Sequence, residues 1–218
     1  MRDVTQGGTR AERKRHTRAL IVRAARGFVA DGGFASMALR EVARAAGIVP
    51  TAFYRHFESL DDLAVEVTSE AVEQFRGVIA ALEAEVTAPP WEVWPPVLAD
   101  AGAEDPEMWA VFVRALVEGE HPAGRAAYEA GTEARRRLAI VLSRHPYFDD
   151  RSTGDVDVLA DIVVAEVVRT LFAAGTAANA VAAGAPRSHG SHGSSGSVRE
   201  ARQRCAERLR LVCGGPAE

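Results

Sequence analysis

Apolar side chains recur at three- and four-residue intervals through stretch after stretch of this 218-residue chain, and that helical pattern leaves no segment reading as a strand. A chain patterned this way buries stripes rather than pleated faces, so the expected fold class is all-α. Composition agrees: 47% apolar, 26% charged, rich in alanine and arginine and sparse in aromatics, a mixture that favours helices. The length suffices for one well-packed core with a small attached domain, not for a multi-domain enzyme. The richest apolar stretch, Val156 to Ala174, is interrupted by Asp157, Asp161, Glu166 and Arg169, which makes a bilayer span costly. No apolar run of signal-peptide type follows the basic residues of the amino terminus, so a cytoplasmic location is expected. Cys205 and Cys213 are eight residues apart, about 12 Å along a helix, too far to bridge, and read as buried reduced thiols.

The net charge of −4 conceals an asymmetry: residues 1–57 carry +7 and the remainder −11. A basic head on an acidic body is what attraction to phosphate requires, and a solvated arginine-rich helix face would look the same on charge alone.

Spacing within the head decides between them. Leu20, Ile21, Ala24, Ala25, Phe28 and Val29 form one amphipathic stripe that stops at Asp31-Gly32-Gly33. A second, short helix is expected from Ser36–Ala38 through Ala46, its apolar face Leu39, Val42, Ala43 and Ala46. Gly47 and Ile48 make a turn, and Pro50 opens a third helix running through Phe57. Two short helices about a glycine turn make a helix-turn-helix. Close crossing is expected to require small residues at Ala43 and Gly47, with Ile48 and Phe53 filling the angle.

These residues carry a resemblance. Leu39-Arg40-Glu41-Val42-Ala43-x-x-Ala46-Gly47-Ile48 with Phe53-Tyr54-Arg55-His56-Phe57 resembles the DNA-binding domain of TetR-family regulators over roughly residues 12–65. Ser36 to Val42 with Pro50 to Phe57 is further similar to the FabR/DesT branch, which implies sensing of long-chain acyl-CoA and control of fatty-acid metabolism. Two positions depart from the pattern: Met37 stands where many members place Thr or Ser, and Glu58 to Asp62 lacks a phosphate-touching Lys.

The third helix is the one to enter the major groove, amino-terminal residues nearest the bases. Pro50 opens it; Thr51 and Ala52 are small enough for close approach, and Arg55 is long enough for a guanine or a phosphate. Tyr54 and His56 are assigned to the DNA backbone, with Arg40 and Arg44 adding phosphate contacts. The other reading of His56 is a helix-end histidine that caps carbonyls. Phe53 and Phe57 read as core.

The expected organisation is a disordered tail over 1–9, a DNA-binding domain over 10–60 and a helical effector-binding and dimerisation domain over 61–218. Ser59-Leu60-Asp61-Asp62 starts a long helix bearing Leu63, Val67, Ala71, Phe75, Ile79, Leu82 and Val86, a lever of roughly 36 Å. A proline-broken segment with Trp91 and Trp94 follows, and then helices from Pro106 and from Pro122. Asp155 to Ala183 is apolar on nearly every face, which implies burial on more than one side. The last helix offers Val198, Ala201, Cys205, Leu209 and Val212 as a partner stripe, and the resemblance implies a homodimer through these two helices on a palindromic operator. Gly184 to Ser197 reads as a flexible loop; His189 and His192 lack the neighbours a metal site needs.

Trp109, Phe112, Val113, Leu116, Tyr128 and Phe172 are candidates to enclose an apolar effector, with Arg169, Arg114 or Arg125 meeting an acidic head group such as that of an acyl-CoA. Ordinary core packing is the competing reading of each aromatic. Rival functions are a multidrug-efflux regulator sensing cationic or lipophilic drugs and a helical adaptor without DNA binding. No Gly-rich phosphate loop, paired-cysteine metal motif or serine nucleophile turn occurs, so no catalytic residue, cofactor or metal is assigned and the expectation is not an enzyme.

Overall fold

The computed structural model describes residues 9–85, 88–182 and 197–215. The described residues form helices α1 (Arg10–Gly32), α2 (Leu39–Ala45), α3 (Pro50–Phe53), α4 (Leu60–Ala84), α5 (Pro90–Glu104), α6 (Pro106–Val117), α7 (Pro122–Ser143), α8 (Thr153–Ala182) and α9 (Val198–Cys213). No strand occurs among them, as the apolar spacing predicts. None of these helices is long and apolar enough to cross a membrane.

Thr9, placed by sequence in the tail, instead caps α1: its hydroxyl accepts from the Glu12 amide (3.2 Å) while the Glu12 carboxylate accepts from the Thr9 amide. Ser197, placed in the loop, caps α9 by accepting from the Glu200 amide at 3.3 Å. Residues 1–8, Val86 and the rest of the expected loop, His189 and His192 included, lie outside the described residues.

Between α2 and α3 the chain reverses through a Schellman ending. The Ile48 amide donates to Ala43 O (2.9 Å) and the Gly47 amide to Arg44 O (3.1 Å). Gly47 sits at φ +70°, and a β-carbon there would meet nothing within 4 Å. Backbone conformation therefore demands this glycine, not the close helix crossing expected from sequence. Ala43 and Phe53 are fully buried, while Ile48 is half-buried.

The proline-broken segment is in fact a helix. Pro95 and Pro96 stand inside α5 and remove the amides that would bond the carbonyls of Trp91 and Glu92. Burial offsets the loss: Trp91, Trp94, Leu98 and Ala99 face the core, and Trp94 Nε1 donates at 3.1 Å to Leu82 O, in the last turn of α4. This has a consequence for α9, whose stripe of Ala201, Cys205 and Leu209 is buried against α5 and α8 of the same chain. Both cysteines are free and buried, and burial pushes the thiols up to about 11 for Cys205 and about 12 for Cys213.

Helix α8 runs through the middle of the body, packed by α5, α6, α7 and α9. Gly102 lets α5 close on it: a β-carbon there would lie 2.6 Å from Leu171 O and 2.8 Å from Ala174 Cβ. Gly131 in α7 is the opposite case, with nothing within 4 Å. Gly102→Ala is therefore expected to cost about 1–3 kcal/mol, lowering the melting temperature by about 2–4 °C per kcal/mol. Gly131→Ala should leave the melting temperature unchanged or raise it, because alanine is the better helix former. Thermal unfolding followed by circular dichroism compares the two.

Candidate nucleic-acid interface and effector cavity

The segment from Pro50 to Phe57 is built on two buried rings. Phe53 and Phe57 stack at 5.6 Å between centroids, both in the core. The expected helix through Phe57 is shorter: α3 ends at Phe53, and three-residue bonds (Arg55 amide to Ala52 O, 3.1 Å; His56 amide to Phe53 O, 2.8 Å) tighten Tyr54–His56 into a turn. That turn brings Phe57 inward just before Ser59 caps α4 by accepting from the Asp62 amide at 3.0 Å.

Above the rings, one face is left open. Val49, Pro50, Thr51, Tyr54 and Arg55 are exposed, Ala52 is half-buried, and Arg40 is exposed on α2. Arg44 is exposed too, but pairs with Glu41 one turn earlier on α2. Val49 escaped the sequence reading because it lies on no stripe; it is 65% exposed at the amino end of α3, beside Pro50, where an apolar side chain suits a thymine methyl.

Arg18 of α1 holds this segment in place. Its guanidinium lies 4.0 Å over the Phe57 ring, donates to His56 O and pairs with Glu66 of α4. His56 is half-buried, and its Nδ1 is shielded with no hydrogen-bond partner. Burial first, then Lys14, Arg18 and Arg55, hold the imidazole below the usual histidine range.

Carboxylates tie the head to the body. Arg26 of α1 meets Asp105 Oδ2 at 3.2 Å and Glu107 Oε2 at 2.6 Å, both at the start of α6. At the other end of α6, Glu118 accepts from the Phe34 amide (3.2 Å), and Arg114 donates to Asp31 O (3.4 Å) rather than facing an effector. The Phe34 ring stacks on His121 at 4.6 Å, and His121 Nε2 lies 3.4 Å from Asp61.

A cavity of about 490 Å³ opens between α6, α7 and α8, and its walls are almost wholly apolar. Of the residues expected to enclose an effector, Phe112, Val113, Leu116, Arg169 and Phe172 line it. Trp109 and Tyr128 do not. Trp109 is buried one turn earlier, its indole N–H donating to Ala101 O at 2.8 Å, and it borders a different cavity. Tyr128 is 71% exposed, because Ala127, Ala130 and Ala134 take the inner face of α7. Arg125 is exposed as well, and Arg169 is engaged by Glu166.

Residues 21–67 match the family model of the bacterial regulatory proteins of the tetR family. The head of the chain is thus similar to the tetR family of bacterial regulatory proteins. A relative from Haemophilus influenzae, described as an uncharacterized HTH-type transcriptional regulator, is 49% identical over 65 residues, which are 29% of this chain. The alignment spans about a third of that relative's length, 32%. Solved structures extend the likeness of fold to the body. A transcriptional regulator of the TetR family from Agrobacterium tumefaciens superposes with a TM-score of 0.62 at 21% identity, covering 89% of this chain and 98% of that one. The fatty acid degradation regulator FadR from Bacillus halodurans gives 0.59 at 15% identity, covering 94% and 96%.

In the head, the lowered His56 pKa sets a pH dependence. Below pH 6.5 an unfolded chain takes up this proton before the folded one, so stability falls as pH drops through and beneath that value. His56→Gln is expected to lose less melting temperature than the wild type between about pH 7.5 and about pH 5.5. An equal loss in both proteins would remove His56 as a source of acid sensitivity.

Proposed function

We propose that the whole chain is a ligand-responsive transcriptional regulator that binds a palindromic operator as a homodimer and represses until an apolar effector releases it. The observation that carries this reading is the open face of Arg40, Thr51, Tyr54 and Arg55, mounted on buried Phe53 and Phe57 in a head of charge +7. Exposed arginine and small residues at the amino end of a helix suit base and phosphate contact. Pro50, Ala52, Arg44 and His56 complete the proposed DNA-facing set.

The dimer is proposed through α8. With α9 packed inward, α8 still exposes Val158, Ile162, Ala165 and Phe172 along one side. An antiparallel two-fold pairing centred on Ala165 sets Val158 against the partner's Phe172 and Ile162 against the partner's Val168, so apolar meets apolar and the partner roofs the α6/α7/α8 cavity, whose α8 wall includes Ala165, Val168 and Phe172.

The effector is proposed to lie in the α6/α7/α8 cavity, whose apolar walls suit an acyl chain, with Arg169 at its edge for an anionic group. The motif likeness to acyl-CoA-sensing regulators points the same way, and a fatty acid degradation regulator shares the fold. Helix α6 lines the cavity with Phe112, Val113 and Leu116 and holds the head with Glu107, Arg114 and Glu118. A ligand that shifts α6 therefore shifts α1, and only a ligand with different affinity for the two placements regulates binding.

Selection from a random duplex pool is expected to return a palindrome bound by two chains, with affinity falling steeply as salt rises. Arg40→Ala should lower the slope of log K against log salt by about 1, and Arg55→Ala should cost about 1–3 kcal/mol. Ile162→Glu should give a monomer. A salt slope near zero would overturn DNA binding.

Palmitoyl-CoA is expected to raise the melting temperature, with Gly131→Leu, which projects a side chain into the α6/α7/α8 cavity without strain, abolishing the effect. An unchanged shift in Gly131→Leu would move the effector elsewhere.

A further inference from the structure

One side chain of the head breaks the local rules and finds no packing within the chain in return. Val49 occupies the cap position of α3, where serine, threonine, aspartate or asparagine would accept a backbone amide, and α3 has no side-chain cap. Val49 is 65% exposed, and with Tyr54 it is one of two large apolar side chains exposed among the described residues of the head. Its neighbour Ile48 packs against the core, whereas Val49 does not. An exposed valine at a cap position forfeits both the cap and the burial of its methyl groups, which marks a residue kept for contact with something outside the chain.

The backbone holds this side chain out in a fixed direction. Val49 is extended at φ −75° and ψ 145°, the region to which a following proline restricts a residue. On one side the Ile48 amide is tied to Ala43 O at 2.9 Å, and on the other Val49 O accepts from the Ala52 amide at 2.9 Å. The branched side chain is stiff about χ1, so little conformational freedom remains to be lost on contact. Exposed Arg40, Thr51 and Arg55 share the open face and bring polar groups to it; Val49 brings branched methyl groups.

From its exposure, its rigid place before Pro50 and its lack of packing within the chain, we infer that Val49 is a specificity-determining residue, selecting a pyrimidine with a 5-methyl group, thymine in ordinary DNA, at one position of each operator half-site. In the major groove guanine N7 and O6, adenine N7 and N6 and cytosine N4 all call for a hydrogen-bonding partner. Valine supplies none, and pressed against any of them it displaces water and leaves the base atom unpaired. The C5-methyl of thymine is the apolar group that the groove presents, and its contact with Val49 removes apolar surface from water on both sides. The inference rests on the DNA-binding reading above and deepens it: the arginines supply attraction to the duplex, and Val49 names a base.

The test uses the full chain and the duplex that selection from the random pool returns, with affinity read by fluorescence anisotropy at one fixed salt concentration. The wild type is expected to fix thymine at one position in each half-site. Deoxyuridine at that position, which removes the methyl group alone, should weaken binding about three- to fivefold per half-site, the effect of one methyl group returned to water. With cytosine placed there instead, a 5-methyl group on it should recover about the same factor. Val49→Ser supplies the missing cap and so still folds, and it should show neither methyl effect. Wild-type binding that ignores the methyl group, or methyl effects that persist in Val49→Ser, would overturn the assignment and leave the regulator reading standing. Absence of binding to any duplex would overturn both, so the two failures are told apart.

Discussion

The arrangement of this molecule hangs on two arginines of α1. Arg18 reaches down to the Tyr54–His56 turn, where it covers Phe57, bonds the His56 carbonyl and pairs with Glu66. Arg26, two turns further on, grips Asp105 and Glu107 at the start of α6. One helix therefore carries both the fixed geometry of the Tyr54–His56 turn and the junction to the body. These contacts are half-buried, so removing one partner and leaving the other charge unpaired costs more than losing an exposed pair.

Helix α6 is the counterpart on the body side. Its residues alternate between two duties as the helix turns: Phe112, Val113 and Leu116 face the apolar cavity, whereas Glu107, Arg114 and Glu118 face the head. Trp109 and Asp105 border a second cavity. Three environments meet on a helix of three turns, and a close-packed interior transmits a shift at one to the others.

The largest departure from expectation is α5, and its effects spread. Two prolines in the Trp91–Pro96 stretch argue against a helix on local grounds, because each removes an amide and crowds the preceding turn. Tertiary burial outweighs that local cost: both indoles enter the core, and Trp94 finds the Leu82 carbonyl. Once α5 exists, the stripe of α9 has a partner within the chain. An apolar row then stays exposed on α8, with Val158, Ile162 and Phe172.

Local rules were enough for the head. Helical spacing, the Gly47 turn, Pro50 at a helix start and the pair of aromatics at Phe53 and Phe57 each depend on residues within a few positions of one another, so the all-α class, the helix-turn-helix and most of its exposed face were legible from sequence. Val49 was not, since exposure of an apolar residue in a turn leaves no periodic trace. In the body, sequence marked which residues are apolar but not which ones meet. Trp109 and Phe112 are three apart on α6 and border different cavities; Tyr128 points outward because its alanine neighbours pack inward; Arg26 and Asp105 meet although they are 79 positions apart. Such pairings follow from how helices cross and which of several equivalent stripes finds a partner first, a choice made by the whole core at once.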